Sequence, residues 1–295
     1  MQRIRYVNLL GETVDFGGER PLILAHVDGL GTTEAQISIV RGAQQSGAFI
    51  TRAQRGERNV RVQFALMPKE DTREAMYNER IKLSSKLSLS RCIDAQGNMG
   101  RLIYDNDAGS WWTYAMPEGD GVTFGTRMRN LLPGGDVTFK SGSAYWRANT
   151  QSETVLEIGR GGFKLPFSFP IKFGTAEFRK NVRNEGGAAA PVEITIHGSG
   201  ETPTIANATT GAQIKIDQPV ASGEMLIINT DPEHLACTHV LADGTREDAW
   251  GYLDPRSAVA DFTLEPGDNV VEYVPDQVSE ASRVVIRWHA LYEGV

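Results

Sequence analysis

Cysteine is nearly absent from this sequence. Its 295 residues hold two, Cys92 and Cys237. They are too few and too far apart in the chain for the disulfide framework of a small secreted domain, so both read as free thiols made in a reducing compartment. Long apolar runs are missing as well. Nothing approaches the roughly 18 consecutive apolar residues of a transmembrane helix, so no membrane insertion is expected. The opening Met1-Gln-Arg-Ile-Arg-Tyr-Val-Asn-Leu-Leu-Gly11 has no apolar core of the length a signal peptide needs. The expectation is a soluble intracellular product, in which the sequon Asn207-Ala-Thr209 is incidental. Basic charge is not in excess either. Thirty Lys+Arg against 37 Asp+Glu leave a net −7, the wrong sign for bulk electrostatic binding to nucleic acid, and no specific nucleic-acid partner is expected.

Sequence signatures of catalysis are equally scarce. Gly159-Arg-Gly-Gly162 lacks the G-x-G-x-x-G spacing and a following helix, and no G-x-x-x-x-G-K is present, so nothing cradles a phosphate. Gly198-Ser-Gly200 is too short for a nucleophile elbow. Asp105-Asn-Asp107-Ala-Gly109 begins like a calcium loop, but Met116 stands where the bidentate Glu belongs, and a hairpin turn explains it. His234-Leu-Ala-Cys237-Thr-His239 is the one cluster with plausible metal ligands. A zinc site would need a fourth ligand from Asp231 or Glu233, since no second Cys or His pair follows, and a strand edge is the simpler reading. His26, His197 and His289 are scattered singly. No catalytic, cofactor-binding or metal-binding residue is assigned.

What is present is turn chemistry and short alternation. Thirty-one glycines and thirteen prolines favour a mainly β chain, long enough for two domains. In the first, Leu22-Ile-Leu24 and Ile37-Ser-Ile-Val40 are short strand candidates. Val60-Arg-Val-Gln-Phe-Ala-Leu66 puts Val60, Val62, Phe64 and Leu66 on one face and ends before Pro68. From about residue 70 to 90 the period becomes helical. Met76, Leu83 and Leu87 line up, with Tyr77 and Ile81 beside them and Arg73, Glu79, Arg80, Lys82 and Lys86 facing water. Asp71 stands where an N-cap is expected, with Glu74 three residues on as in a capping box. One such helix among strands should lie across an apolar sheet face. Arg101-Leu-Ile-Tyr104 and Trp111-Trp-Thr-Tyr-Ala115 flank a turn and read as a hairpin. Val137-Thr-Phe139 and Ala144-Tyr-Trp146 are the last strands expected there.

Residues 147–153, polar and aperiodic, read as a linker, giving an expected N-terminal β domain over 1–148 and a C-terminal β-sandwich over 149–295. Charge divides along the same line: 19 Lys+Arg against 16 Asp+Glu before it, 11 against 21 after it. Strands of the second part carry alternating Val192, Ile194, Ile196, then Ile214, Ile216, then Leu226, Ile228, and the chain closes on Val284-Val-Ile-Arg-Trp-His-Ala290. Arg52, Arg55, Arg58 and Arg61 recur every third residue. They read either as a basic strip for an acidic neighbour or DNA phosphate, or as a solvated face.

Order along the chain carries a further signal. Tyr6-Val-Asn8-x-x-Gly11-Glu12 is followed by Val27-Asp-Gly-Leu30. The helix over Glu79–Leu89 precedes Gly100-Arg-Leu-Ile-Tyr104. Phe163–Phe173, with Pro166 and Pro170, leads into the strand series from Pro191 to Asn269. This succession resembles the distal tail proteins of long-tailed bacteriophages, the siphovirus tail component family.

The resemblance implies an N-terminal β domain with a packed helix that rings up with its copies, typically six, and a galectin-like or carbohydrate-module-like C-terminal sandwich. It implies a non-enzymatic hub at the virion tail tip, made in the host bacterial cytoplasm. The implied partners are the major tail tube protein, the tape-measure protein and the tail-associated tip protein, with a receptor-binding protein or host glycan as further candidates. The polar stretch 239–256 departs from the pattern. Two other readings stay open: a free carbohydrate-binding module stacking sugars on Trp111, Trp112 or Trp250, and an enzyme with an unusual site.

Overall fold

The computed structural model describes residues 2–157 and 178–295, apart from 44–45, 71, 129–131, 199, 201, 275 and 277–282. The stretches 159–162 and 163–173 named above lie outside the described residues. The chain divides into two units, Met1–Asn149 with Tyr292–Val295, and Thr150–Leu291. Both are mainly β.

In chain order the first unit contains β1 (Arg3–Val7), β2 (Thr13–Phe16), β3 (Leu22–Asp28), β4 (Ala35–Val40), β5 (Phe49–Arg55), β6 (Arg58–Leu66), α1 (Arg73–Lys86), α2 (Leu89–Cys92), β7 (Arg101–Asn106), β8 (Gly109–Tyr114), β9 (Met116–Met128), β10 (Leu132–Ser141) and the start of β11 (Trp146–Glu157). One antiparallel sheet runs β2-β1-β7-β8, and Arg147 and Ala148 of β11 pair with β8. A second runs β3-β6-β10-β9, and β4-β5 stands as a two-stranded sheet of its own. Period-two alternation builds the core between the sheets: Ile4, Tyr6, Leu102 and Tyr104 from one, Val60, Val62, Phe64 and Phe139 from the other, all buried. Aromatic rings join the two layers, Tyr6 to Phe139 at 4.8 Å and Phe16 to Phe64 at 5.2 Å between centroids.

Helix α1 closes this core through Leu83 and Leu87, as its period predicts, but two local expectations are corrected. The N-cap is Thr72, whose hydroxyl accepts from Ala75 N at 3.1 Å, rather than Asp71. Glu74 falls in the first turn, where its charge suits the helix dipole. Tyr77 and Ile81 face outward, 54% and 66% exposed. The expected linker at 147–153 is also corrected. Those residues lie inside β11, which pairs with β8 at Arg147 and Ala148, and backbone pairing needs no apolar alternation when one face is wet.

The second unit contains β12 (Phe178–Asn184), β13 (Ala190–His197), β14 (Thr204–Asn207), β15 (Ala212–Lys215), β16 (Met225–Asn229), β17 (Ala236–Val240), β18 (Arg246–Asp248), β19 (Thr263–Leu264), β20 (Gly267–Val274) and β21 (Arg283–Tyr292). One sheet orders them β18-β17-β16-β13-β21 and the other β12-β20-β14-β15. Val192, Ile194 and Ile196 from the first sheet, and Ile205, Ile214, Val271 and Tyr273 from the second, are buried.

Buried asparagines tie the turns. Asn269 donates to Glu265 O at 2.7 Å and accepts from Glu265 N at 2.9 Å, holding the Glu265-Pro-Gly-Asp turn around Gly267 at φ +90°. Asn207 of the sequon is fully buried and donates to Thr263 O. The stretch 239–256, the departure from the pattern, holds the turn of a hairpin between β17 and β18 and a short 3₁₀ helix, Trp250–Tyr252.

Candidate interaction surface

The β4-β5 hairpin is an arm with every residue of both strands exposed. Ile37, Ile39, Val40, Phe49 and Ile50 are each more than half exposed. Register pairs Ile39 with Ile50 and Val40 with Phe49, past an irregularity at Ser38/Ile39. An isolated hairpin is marginally stable in water, and a cluster of exposed large apolar side chains marks a protein interface. Residues 35–55 also carry three arginines and no acidic residue, so a cover for the arm should be apolar with an acidic margin.

At the root of this arm one side chain gathers the chain. Arg58 is 1% exposed. Its Nη1 donates to Gly29 O at 2.9 Å and Gly31 O at 2.6 Å; its Nη2 donates to Ala144 O and Glu293 O, both at 2.6 Å. The guanidinium also sits 5.2 Å from the Trp146 ring centroid. Burial pulls the Arg58 pKa down to about 10, against the opposing pull of Glu293. Gly29, at φ +88°, is required here because a Cβ would run into Asn59 O. The four arginines spaced by three therefore do not form one strip. Arg52 is exposed on the arm, Arg55 pairs with Glu293 at 2.6 Å, Arg58 is buried, and Arg61 pairs with Asp136 at 3.1 Å.

A second exposed apolar surface of the same unit comes from the helices. Tyr77 and Ile81 share one face of α1, with the Arg80 guanidinium 5.8 Å from the Tyr77 ring and 5.1 Å from that of Phe124. Glu70 and Glu74 are exposed at the start of the helix. Leu10 and Leu89 are 68% and 62% exposed, and Leu9 N donates to Arg91 O at 2.9 Å, joining the β1-β2 turn to α2.

In the second unit the candidate metal cluster does not assemble. His239 Nε2 lies 2.8 Å from Glu224 Oε2 and its Nδ1 lies 3.2 Å from the Tyr252 hydroxyl, so both ring nitrogens are engaged. Cys237 donates to Ala249 O at 3.3 Å, and burial pushes its thiol up to about 12. Among the described residues no three His, Cys, Asp or Glu side chains gather as a metal site. The candidate sugar platforms also separate. Trp112 is buried beneath the guanidinium groups of Arg101 and Arg147, Trp111 stacks on Tyr104 at 6.2 Å, and Trp250 is exposed. At the would-be calcium loop, Asp105 binds Arg5 at 2.9 Å and Asn106 Oδ1 accepts from Ala108 N at 2.7 Å, which is hairpin chemistry.

Comparison with known proteins points one way. Residues 185–292 match the family model of the siphovirus-type tail component, C-terminal domain. The crystal structure of the SPP1 Dit protein, described as a paradigm of hub adsorption apparatus in phages infecting Gram-positive hosts, superposes with a TM-score of 0.67. It does so at 13% identity, over 99% of each chain. Chains of the phage P2 baseplate in its activated conformation superpose with a TM-score of 0.59. The calcium form is 12% identical over 100% of this chain and 99% of its own; the strontium form is 13% identical over 100% of both. At such identities the likeness establishes a shared fold. No curated protein matches the sequence.

Proposed function

We propose that this chain, which carries a siphovirus-type tail component C-terminal domain and the SPP1 Dit fold, is a structural hub subunit of a phage tail tip. In this reading it closes with its copies into a ring, of six subunits, within the virion. The observation that carries the proposal is the joining of that full-length fold to a first unit with two different exposed apolar surfaces, the arm and the α1 face. A closed ring needs a heterologous contact, one patch of a subunit meeting a different patch of the next. The arm, apolar and basic, suits the α1 face, apolar with Glu70 and Glu74 at one end. The four-stranded sheet ends at β9, an edge that can extend the same contact by strand pairing.

Such a hub works by holding neighbours, with no chemistry of its own. Its neighbours in this reading are the major tail tube protein, the tape-measure protein and the tail-associated tip protein. The second unit faces a receptor-binding protein or a host glycan. Light scattering with negative-stain imaging of the same fractions tests the ring, whose mass is expected at about six times the 32.3 kDa of one chain. A monomer at every concentration, with no central-hole particles, rejects self-closure. Exposure of Trp250 keeps one glycan assay worthwhile: binding to cell-wall glycan that disappears in Trp250→Ala would give the second unit a receptor role of its own.

A further inference from the structure

We infer that residues 292–295 are a strap that sets the arm, so that the arm becomes competent to meet a neighbouring copy only after the second unit has been made and folded. This rests on the ring reading for its consequence, though not for its geometry. The arm leaves the first unit through two roots, residues 29–34 and 56–57. Gly56 N donates to Glu34 O at 2.9 Å and Arg55 Nη1 donates to Thr33 O at 3.1 Å, tying one root to the other. Arg58 binds the first root at Gly29 and Gly31 while standing at the end of the second.

The strap then closes over both. Glu293 offers its backbone carbonyl to Arg58 and its carboxylate to Arg55. Val295 N donates to Leu30 O at 3.1 Å. Gly294 lies so close to the first root that a Cβ on it would stand 3.1 Å from Gly31 C and Cα. These contacts reach the first root, Arg58, and Arg55 at the end of the arm's second strand. A buried guanidinium satisfied by carbonyl oxygens loses part of its hydrogen bonding if one acceptor segment leaves, and a buried unsatisfied donor is costly.

The strap continues directly from β21, the last strand of the second unit, and its partners lie 235 and 238 residues earlier in the chain. During synthesis residues 1–149 of the first unit are made long before the strap exists, at a stage when an apolar arm is a hazard for premature association. Until Glu293 arrives, Arg58 has one carbonyl fewer and Arg55 lacks its carboxylate, so the roots are held by fewer bonds. Arg55 and Arg58 are positioning residues for the arm in this scheme.

The test compares the full chain with two variants, one lacking residues 293–295 and one carrying Gly294→Val, which keeps every hydrogen-bonding side chain of the strap. Hydrogen exchange is read on dilute monomer at amides 35–40 and 49–55. Both variants should exchange there at least about tenfold faster, the loss expected for hydrogen bonds to a charged group, while β6 and β10 keep their protection. Unchanged arm exchange in both variants overturns the strap. If the full chain forms rings, both variants should need at least about tenfold more protein to do so, and rings forming at unchanged concentration overturn the assembly role. If the full chain never forms rings, the ring reading fails by itself, and the monomer exchange data still decide the strap.

Discussion

Replacing Phe49 and Ile50 together with serine separates the arm's role in association from any role in folding. Fully burying a Phe or Ile side chain contributes about 1.5–3 kcal/mol. In the isolated chain these two remain 64% and 67% exposed, so roughly two-thirds of that is still to be gained from a partner. On the order of 1.5 kcal/mol each, or ~3 kcal/mol per contact, should be lost in the double variant. At 1.4 kcal/mol per decade this weakens each subunit contact about 100-fold. The monomer should lose little, since only the Val40–Phe49 and Ile39–Ile50 cross-strand pairs are touched, each worth roughly 0.2–1 kcal/mol. Light scattering across a concentration series reads the first quantity and circular-dichroism melting reads the second. Assembly at wild-type concentrations would refute the arm as a contact. A large drop in melting temperature would refute its independence from the core.

Phe64→Ala, at the centre of the first unit, should cost about 3–5 kcal/mol and lower a thermal transition that Val271→Ala leaves in place; calorimetry showing the same shift for both variants would deny that the units melt separately. Asp254 is held well below the usual carboxylate range by its hydrogen bonds with the Arg256 side chain and backbone. The stability it contributes is therefore present above the ordinary Asp pKa and lost as pH falls below it. Asp254→Asn should flatten the acid side of the second unit's melting profile, and an unaltered slope between about pH 5 and 2 would contradict this. Cys92 and Cys237 are buried, and burial raises both thiols. The native chain at pH 8 should resist a thiol reagent that labels both residues once it is unfolded; rapid native labelling would reject that packing.

Strand positions were legible in the sequence because side chains on a strand alternate. Val60, Val62, Phe64 and Leu66 announce β6, and Val192, Ile194 and Ile196 announce β13. The helical period of Met76, Leu83 and Leu87 announced α1. The same rule held a clue that spacing by three hid. Arg58 is in phase with Val60 and Val62, so period two puts it on the buried face, while Arg61, one step out of phase, belongs to solvent. The linker reading at 147–153 failed for the converse reason: a strand can be held by backbone pairing where its side chains show no apolar pattern.

The amino-acid sequence by itself determined strands with clear alternation such as β6 and β13, where the long helix runs, and the order of motifs that resembles the tail component family, because each of these depends on neighbours close in the chain. Only the tertiary structure decided that the β4-β5 arm stands uncovered, that Tyr77 and Ile81 face outward, and that Arg58 is held by Gly29, Gly31, Ala144 and Glu293. Those outcomes depend on which distant segments meet. The carbonyl groups that hold Arg58 belong to the backbone, which every residue carries alike, so no side-chain pattern could have named them.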